Sequence, residues 1–276
     1  MSSLATDFIE REYNNRALVP DHPAYFTRWE KDSAYVRSTL RCELDIAYGP
    51  DPRHRIDLFP AAHARGTLVF IHGGYWRSLD KSVFSWLAAS WVAAGVSVAM
   101  PNYRLAPHVS LEDIVEDMVA AHNWLFLNGV KHGIATERVV ISGHSAGGHL
   151  TAAIFATPWS RLKFDPTRIA GGVPFSGIFE FAPLLQHSYN ADLRLDAGSA
   201  ARLSLAGRRP TVASPLVVAA GAAESSEFQR QSRLLAEAWS PQVKSLLLLP
   251  GVNHFSIVDA FAERGQPLYD ATLALF

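Results

Sequence analysis

Gly143-His144-Ser145-Ala146-Gly147 sets a serine between two glycines. A serine hydroxyl is a weak nucleophile until a base takes its proton. The pattern therefore has chemical meaning only where the backbone presents the side chain to such a base. The preceding residues, Arg138-Val139-Val140-Ile141-Ser142, read as a short strand, and 147–156 read as a helix. A strand-to-helix turn of this kind is strained, and glycines beside it let neighbouring backbone approach. The helix N-terminus favours negative charge at the serine. The competing reading is a glycine-rich turn with a structural serine.

A second glycine pair, in His72-Gly73-Gly74-Tyr75-Trp76, follows the apolar run Leu68-Val69-Phe70-Ile71. Acyl transfer builds negative charge on the carbonyl oxygen, which backbone N–H donors aimed at it stabilise. The amides of Gly73 and Gly74, with that of Ala146, are expected to form this oxyanion hole. His72 is expected to hold the loop. In folds that present a serine this way the chain order is nucleophile, acid, histidine. His149, His187 and His254 all follow Ser145. His149 falls in the helix leaving the serine, and His187 in an irregular stretch. His254 follows the last apolar run, at the sheet end where ligands bind, and is the preferred base. The acid should follow the run 216–220. There Gly221-Ala222-Ala223-Glu224-Ser225-Ser226-Glu227 offers two carboxylates and no aspartate. Glu224 lies in the loop and is preferred. Glu227 begins a helix, where a carboxylate serves the positive N-terminus, and is the alternative.

The elements that must position these groups alternate. Apolar runs at 44–48, 56–59, 67–71, 96–100, 139–142, 172–175, 216–220 and 245–249 read as strands. Helices are expected at 83–94, 111–127, 147–156 and 227–239, with Ser110 capping the second and Asp113 three residues on. This alternation implies an α/β fold with an eight-stranded, mostly parallel sheet covered by helices on both faces. The first two strands, around Gly49-Pro50-Asp51-Pro52, suit a hairpin and make the sheet mixed. Residues 1–40 read as a helical extension, and 176–214 as a cap-like insertion within a single domain spanning 1–276. Trp159, Phe175, Phe179 and Phe181 lie near the motifs, as do Tyr75, Trp76 and Phe255. Some of these are expected to line an apolar pocket for an aromatic small molecule. Tyr75 and Trp76 are favoured, and Tyr189 and Asn190 are placed at its mouth.

Lys and Arg number 25 against 26 Asp and Glu, so no basic excess points to nucleic acid. The single cysteine, Cys42, excludes an intramolecular disulfide and a multi-thiolate metal cage. No metal or cofactor is expected. The start lacks a secretory pattern and no run approaches the roughly 20 apolar residues of a membrane span, so a cytoplasmic protein is expected. A composition 49% hydrophobic and 18% charged leaves room for a homodimer.

At these residues the chain resembles the kynurenine formamidase (arylformamidase) branch of the α/β-hydrolases. The likeness is carried by Glu12-Tyr13-Asn14-Asn15-Arg16, His72-Gly73-Gly74-Tyr75-Trp76, Asn102-Tyr103-Arg104-Leu105-Ala106-Pro107, the Ser145 turn, Glu227-Phe228-Gln229-Arg230-Gln231-Ser232 and Asn253-His254-Phe255. In that branch the acid stands three residues before the Glu-Phe pair, commonly as Asp; here the position is Glu224. The resemblance implies hydrolysis of N-formylkynurenine-like aryl amides, or of small carboxylic esters, through an acyl-enzyme. A non-catalytic binding module on the same fold is the remaining alternative, but such modules usually lose the serine, the histidine or the glycines that this chain keeps.

Overall fold

The computed structural model describes residues 3–276. Its centre is one eight-stranded sheet in the order β1-β2-β4-β3-β5-β6-β7-β8. The strands are β1 (Glu43–Ala47), β2 (Arg55–Phe59), β3 (Thr67–Ile71), β4 (Ser97–Pro101), β5 (Val139–His144), β6 (Ile169–Phe175), β7 (Leu216–Gly221) and β8 (Val243–Leu249). The pairs β1–β2 and β2–β4 run antiparallel, and all others run parallel. The sheet is therefore mixed at one edge only. Every residue of β3 and β5 is buried, which explains runs that are apolar without alternation. β6 begins three residues before the expected 172, because glycines interrupt its apolar run. A Cβ on Gly172 would come within 2.6 Å of the Phe155 ring, so close packing of the helix removes the side chain there.

Two apolar clusters hold the layers, one on each face. In β3, Val69 and Ile71 belong to one cluster and Leu68 and Phe70 to the other, the period-two alternation of a strand. The first cluster takes in the helices Leu111–Asn128, Ala146–Phe155 and Ser226–Ala238. The second takes in His22–Thr39, Ala88–Ala93, Ser256–Ala262 and Pro267–Leu273. Ser110 Oγ accepts from the Asp113 amide (3.1 Å), and the Asp113 carboxylate accepts from the Ser110 amide (3.0 Å), so the expected capping box is formed. The helix expected at 83–94 is two pieces: a 3₁₀ stretch, Lys81–Leu87, and then Ala88–Ala93. Its first turn is pinned to the sheet. The Lys81 amide donates to Asn102 Oδ1 (2.9 Å), and the Lys81 ammonium pairs with Asp45 (2.6 Å) and Asp57 (2.8 Å).

Before the sheet come the helices Ser3–Tyr13, Asn15–Leu18 and His22–Thr39. The last lies along Lys81–Leu87, with Trp29 against Phe84 (5.5 Å between centroids). Within 176–214 stand the short elements Ala182–Gln186, Asn190–Leu193 and Ala197–Leu203. Their Leu184, Leu193, Ala200 and Leu203 enter the first apolar cluster. Among the described residues, no helix is long and apolar enough to cross a membrane.

Candidate active site

Ser145 joins β5 to the helix Ala146–Phe155 with φ 56° and ψ −116°. A residue with a Cβ is strained there, and such strain persists only where the surroundings impose it. They do so here. A Cβ on Gly143 would lie 2.2 Å from the Gly147 carbonyl oxygen, and one on Gly147 would lie 1.9 Å from that of Ile71. Only glycine lets β3, β5 and the helix meet so closely. The Ser145 amide donates to the Phe175 carbonyl (3.0 Å), tying the turn to β6. Ala146 opens its helix, so its N–H has no acceptor within that helix.

The loop after β3 lies against this turn. A Cβ on Gly73 would meet Ser145 Cβ at 3.1 Å. Gly74 (φ 114°), Tyr75 (51°) and Trp76 (57°) follow in left-handed conformations. The amides of Arg77 and Ser78 return to the Gly74 carbonyl (3.1 and 3.0 Å) and close the loop. Those of Gly73 and Gly74 donate to no acceptor among the described residues. His72 Nδ1 lies 2.7 Å from the Gly73 carbonyl, and its ring stacks on Tyr103 at 4.3 Å. Burial lowers the His72 pKa to about 4, so the ring is neutral and structural at pH 7.

Across the turn, His254 Nδ1 stands 2.7 Å from Glu224 Oε2, with both side chains buried. Glu224 Oε1 accepts from Ser176 Oγ (2.5 Å) and from the Gly221 amide (2.6 Å). The carboxylate is thus fixed at the end of β7. Glu227 faces elsewhere: its Oε2 accepts from the Tyr13 hydroxyl (2.7 Å), and Arg230 pairs with it at 2.9 Å. Ser145 and His254 share one cavity wall without a hydrogen bond between them, and such contacts commonly tighten only when substrate engages. His149 Nε2 bonds the Leu203 carbonyl (3.1 Å) and His187 Nδ1 accepts from the Tyr189 amide (3.0 Å); neither lines that cavity.

The sequence reading gave His144 no role. Its Nε2 donates to the His254 carbonyl (2.8 Å) and its ring lies 4.6 Å from that of His254. Burial, with the neighbouring His254 second, holds the His144 pKa well below the ordinary histidine range. A neutral ring with its proton on Nε2 can therefore anchor the histidine loop.

The cavity holds about 210 Å³. Gly74, Tyr75, Tyr189 and Phe255 line it together with Ser145, His144 and His254. Trp76 does not. It is fully buried and turned into the core, against His149 (5.4 Å) and Phe181 (5.2 Å). Asn190 does not either, because its side chain closes a turn of the insertion. Its Nδ2 donates to the Leu195 carbonyl (3.1 Å) and its Oδ1 accepts from the Leu195 amide (2.8 Å). Phe175, Phe179 and Phe181 are core residues, and Trp159 is exposed. The unexpected wall is N-terminal: Asn15, Arg16, Phe26 and Trp29 all face the cavity. The run containing Asn15 and Arg16 carries part of the family resemblance, but nothing in its periodicity marks it as a pocket wall. Arg77 and Asp192, paired at 2.5 Å, also line the cavity. Among the described residues no cluster of His, Cys, Asp and Glu could hold a metal ion.

A family model for the alpha/beta hydrolase fold matches residues 68–217. Kynurenine formamidase of Salmo salar is 25% identical over 94% of this chain and 91% of its own length. That of Danio rerio is 25% identical over 96% and 94%. A crystal structure from Silicibacter sp. TM1040, provisionally named a thioesterase, is 31% identical, covers 96% of this chain and 98% of its own, and superposes with a TM-score of 0.87. The chain belongs to the α/β-hydrolase fold family and, by its likeness to these proteins, is a hydrolase of amide or ester bonds.

Proposed function

We propose that the protein is a serine hydrolase that cleaves small N-formylkynurenine-like aryl amides through an acyl-enzyme. The observation that carries this reading is the Glu224–His254 contact of 2.7 Å beside a strained Ser145 in the same cavity. Ser145 Oγ attacks the substrate carbonyl while His254 Nε2 takes its proton. Glu224 orients the ring and stabilises its cation. The amides of Gly73, Gly74 and Ala146 receive the oxyanion. Collapse expels the arylamine, which takes the proton from His254. Water deprotonated by His254 then releases the acid and restores Ser145. The aromatic walls Tyr75, Tyr189 and Phe255 and the near full-length likeness to two kynurenine formamidases support an aryl substrate.

The second reading is hydrolysis of small esters or thioesters, favoured by the name of the Silicibacter relative. A fluorophosphonate probe should label wild type and leave Ser145→Ala unlabelled; a folded wild type that resists labelling overturns the nucleophile. Values of kcat/KM on N-formylkynurenine, an N-acyl anthranilate and p-nitrophenyl esters of increasing chain length separate the substrates. Turnover of short esters alone overturns the amidase reading.

A further inference from the structure

We infer that Asn15 and Arg16, the first two residues of the short helix Asn15–Leu18, bind a carboxylate carried by the substrate. The inference rests on the proposed hydrolase reading and names the class of substrate that its cavity takes.

Asn15 is only 4% exposed and lines the cavity that holds Ser145 and His254. Its Nδ2 is buried and has no hydrogen-bond partner among the described residues. Buried amides are rarely left unpaired, and because Asn15 lines a binding cavity a bound ligand can supply the missing acceptor once the side chain turns toward it. Arg16 lines the same cavity, enters no ion pair among the described residues, and lies 5.7 Å over the Phe26 ring. The other charges there cancel. Arg77 is paired with Asp192 at 2.5 Å and stacks on Tyr189 at 4.5 Å. One positive charge is left unmatched, and a planar guanidinium suits a carboxylate in a two-pronged contact. The Asn15 amide adds a further donor. Asn14 Oδ1 accepts from the Ala17 amide (3.2 Å) and so fixes the turn that carries both side chains. Phe26 and Trp29, from the following helix, bring aromatic surface beside these donors. The substrate class is an aryl amide or ester whose ring bears a carboxylate, directly or on a short arm.

The test compares matched substrates: 2-formamidobenzoate against its neutral analogue 2-formamidobenzamide, and 3-acetoxybenzoate against phenyl acetate. Wild type should prefer the carboxylate member. In Arg16→Gln the preference ratio should fall about three- to tenfold, since solvent screens the exposed guanidinium, and chiefly through KM. Asn15→Ala should also lower the ratio while the Tm holds or rises, because an unpaired buried amide is removed. Absence of a preference in wild type, or an unchanged ratio in both variants, overturns the inference. So does an Asn15→Ala protein with a lowered Tm and equal losses on both members. Fluorophosphonate labelling of Ser145 is read on the same samples. Labelling without preference sinks this inference alone, whereas no labelling sinks the hydrolase reading beneath it.

Discussion

Two glutamates three positions apart in one short segment do different work because different donors reach them. Glu224 meets His254 Nδ1, Ser176 Oγ and the Gly221 amide, whereas Glu227 meets Tyr13 and Arg230. A glutamine at 224 would turn an NH₂ toward donors or toward the histidine. Glu224→Gln is expected to lower kcat about 10³–10⁴-fold, as loss of the orienting acid does in such triads. Glu227→Gln should cost about 1–3 kcal/mol of stability instead, with kcat within a few-fold of wild type. Steady-state kinetics and urea unfolding on both variants decide it, and the reverse pattern would assign the acid to Glu227. Gly147→Ala is a sharper case. The added methyl would lie 1.9 Å from the Ile71 carbonyl, which is backbone and cannot yield, so a loss of about 3 kcal/mol or more is expected in the same unfolding assay. The Glu224–His254 contact was legible because a carboxylate in the loop after one strand can reach a histidine in the loop after the next. His144 was not, because its partner is a carbonyl 110 residues away.

At the scale of elements, the helix Ser3–Tyr13 and the turn after it work as a brace. The Tyr13 hydroxyl donates to Glu227 and accepts from Gln231 Nε2 (2.8 Å). The Tyr13 carbonyl accepts from the Tyr75 hydroxyl, so the loop after β3 is held by the same residue. Glu12 receives the Ser226 amide (3.0 Å) and hydroxyl (2.7 Å), just past Glu224. The brace therefore joins the glycine loop to the loop that carries Glu224. Tyr13→Phe breaks its hydroxyl contacts and leaves a buried carboxylate short of a donor. It should lower stability by about 1–3 kcal/mol and also depress kcat. Wild-type kcat in a destabilised Tyr13→Phe protein would show that the brace only holds the helix down. The central strands were readable because burial on both faces makes a run continuously apolar. The brace was not, since a tyrosine facing a cavity and one facing a core look alike in spacing. Trp76 shows the same ambiguity resolved in favour of the core.

Over the whole molecule, histidine burial sets the response to acid. His72, His122 and His149 are fully buried, and burial lowers each pKa from 6.5 to about 4. Above pH 6.5 both folded and unfolded chains hold these rings neutral, and they cost nothing. As pH falls from 6.5 toward 4 the unfolded chain takes up protons that the folded one refuses. Each ring then removes about 1.4 kcal/mol per pH unit. Urea unfolding at pH 7 and at pH 5 should differ by several kcal/mol, with a slope above three protons, because His144, which burial also holds well below the ordinary histidine range, adds to the three. Stability that holds flat down to pH 4.5 would contradict this. The Asp80 pKa, lowered to about 2 chiefly by hydrogen bonds from Ser82 and Asn102 that outweigh its burial, adds a further loss only below the ordinary aspartate range.

The brace also orders events in time. Tyr13 meets Glu227 across 214 residues of chain, and Arg28 meets Asp259 across 231. Contacts between such distant residues are slow to form. A refolding chain can regain its helices and most of its sheet while the two ends are still apart. Turnover then returns after ellipticity, and the lag between the two signals measures how long the earliest residues take to dock onto the latest.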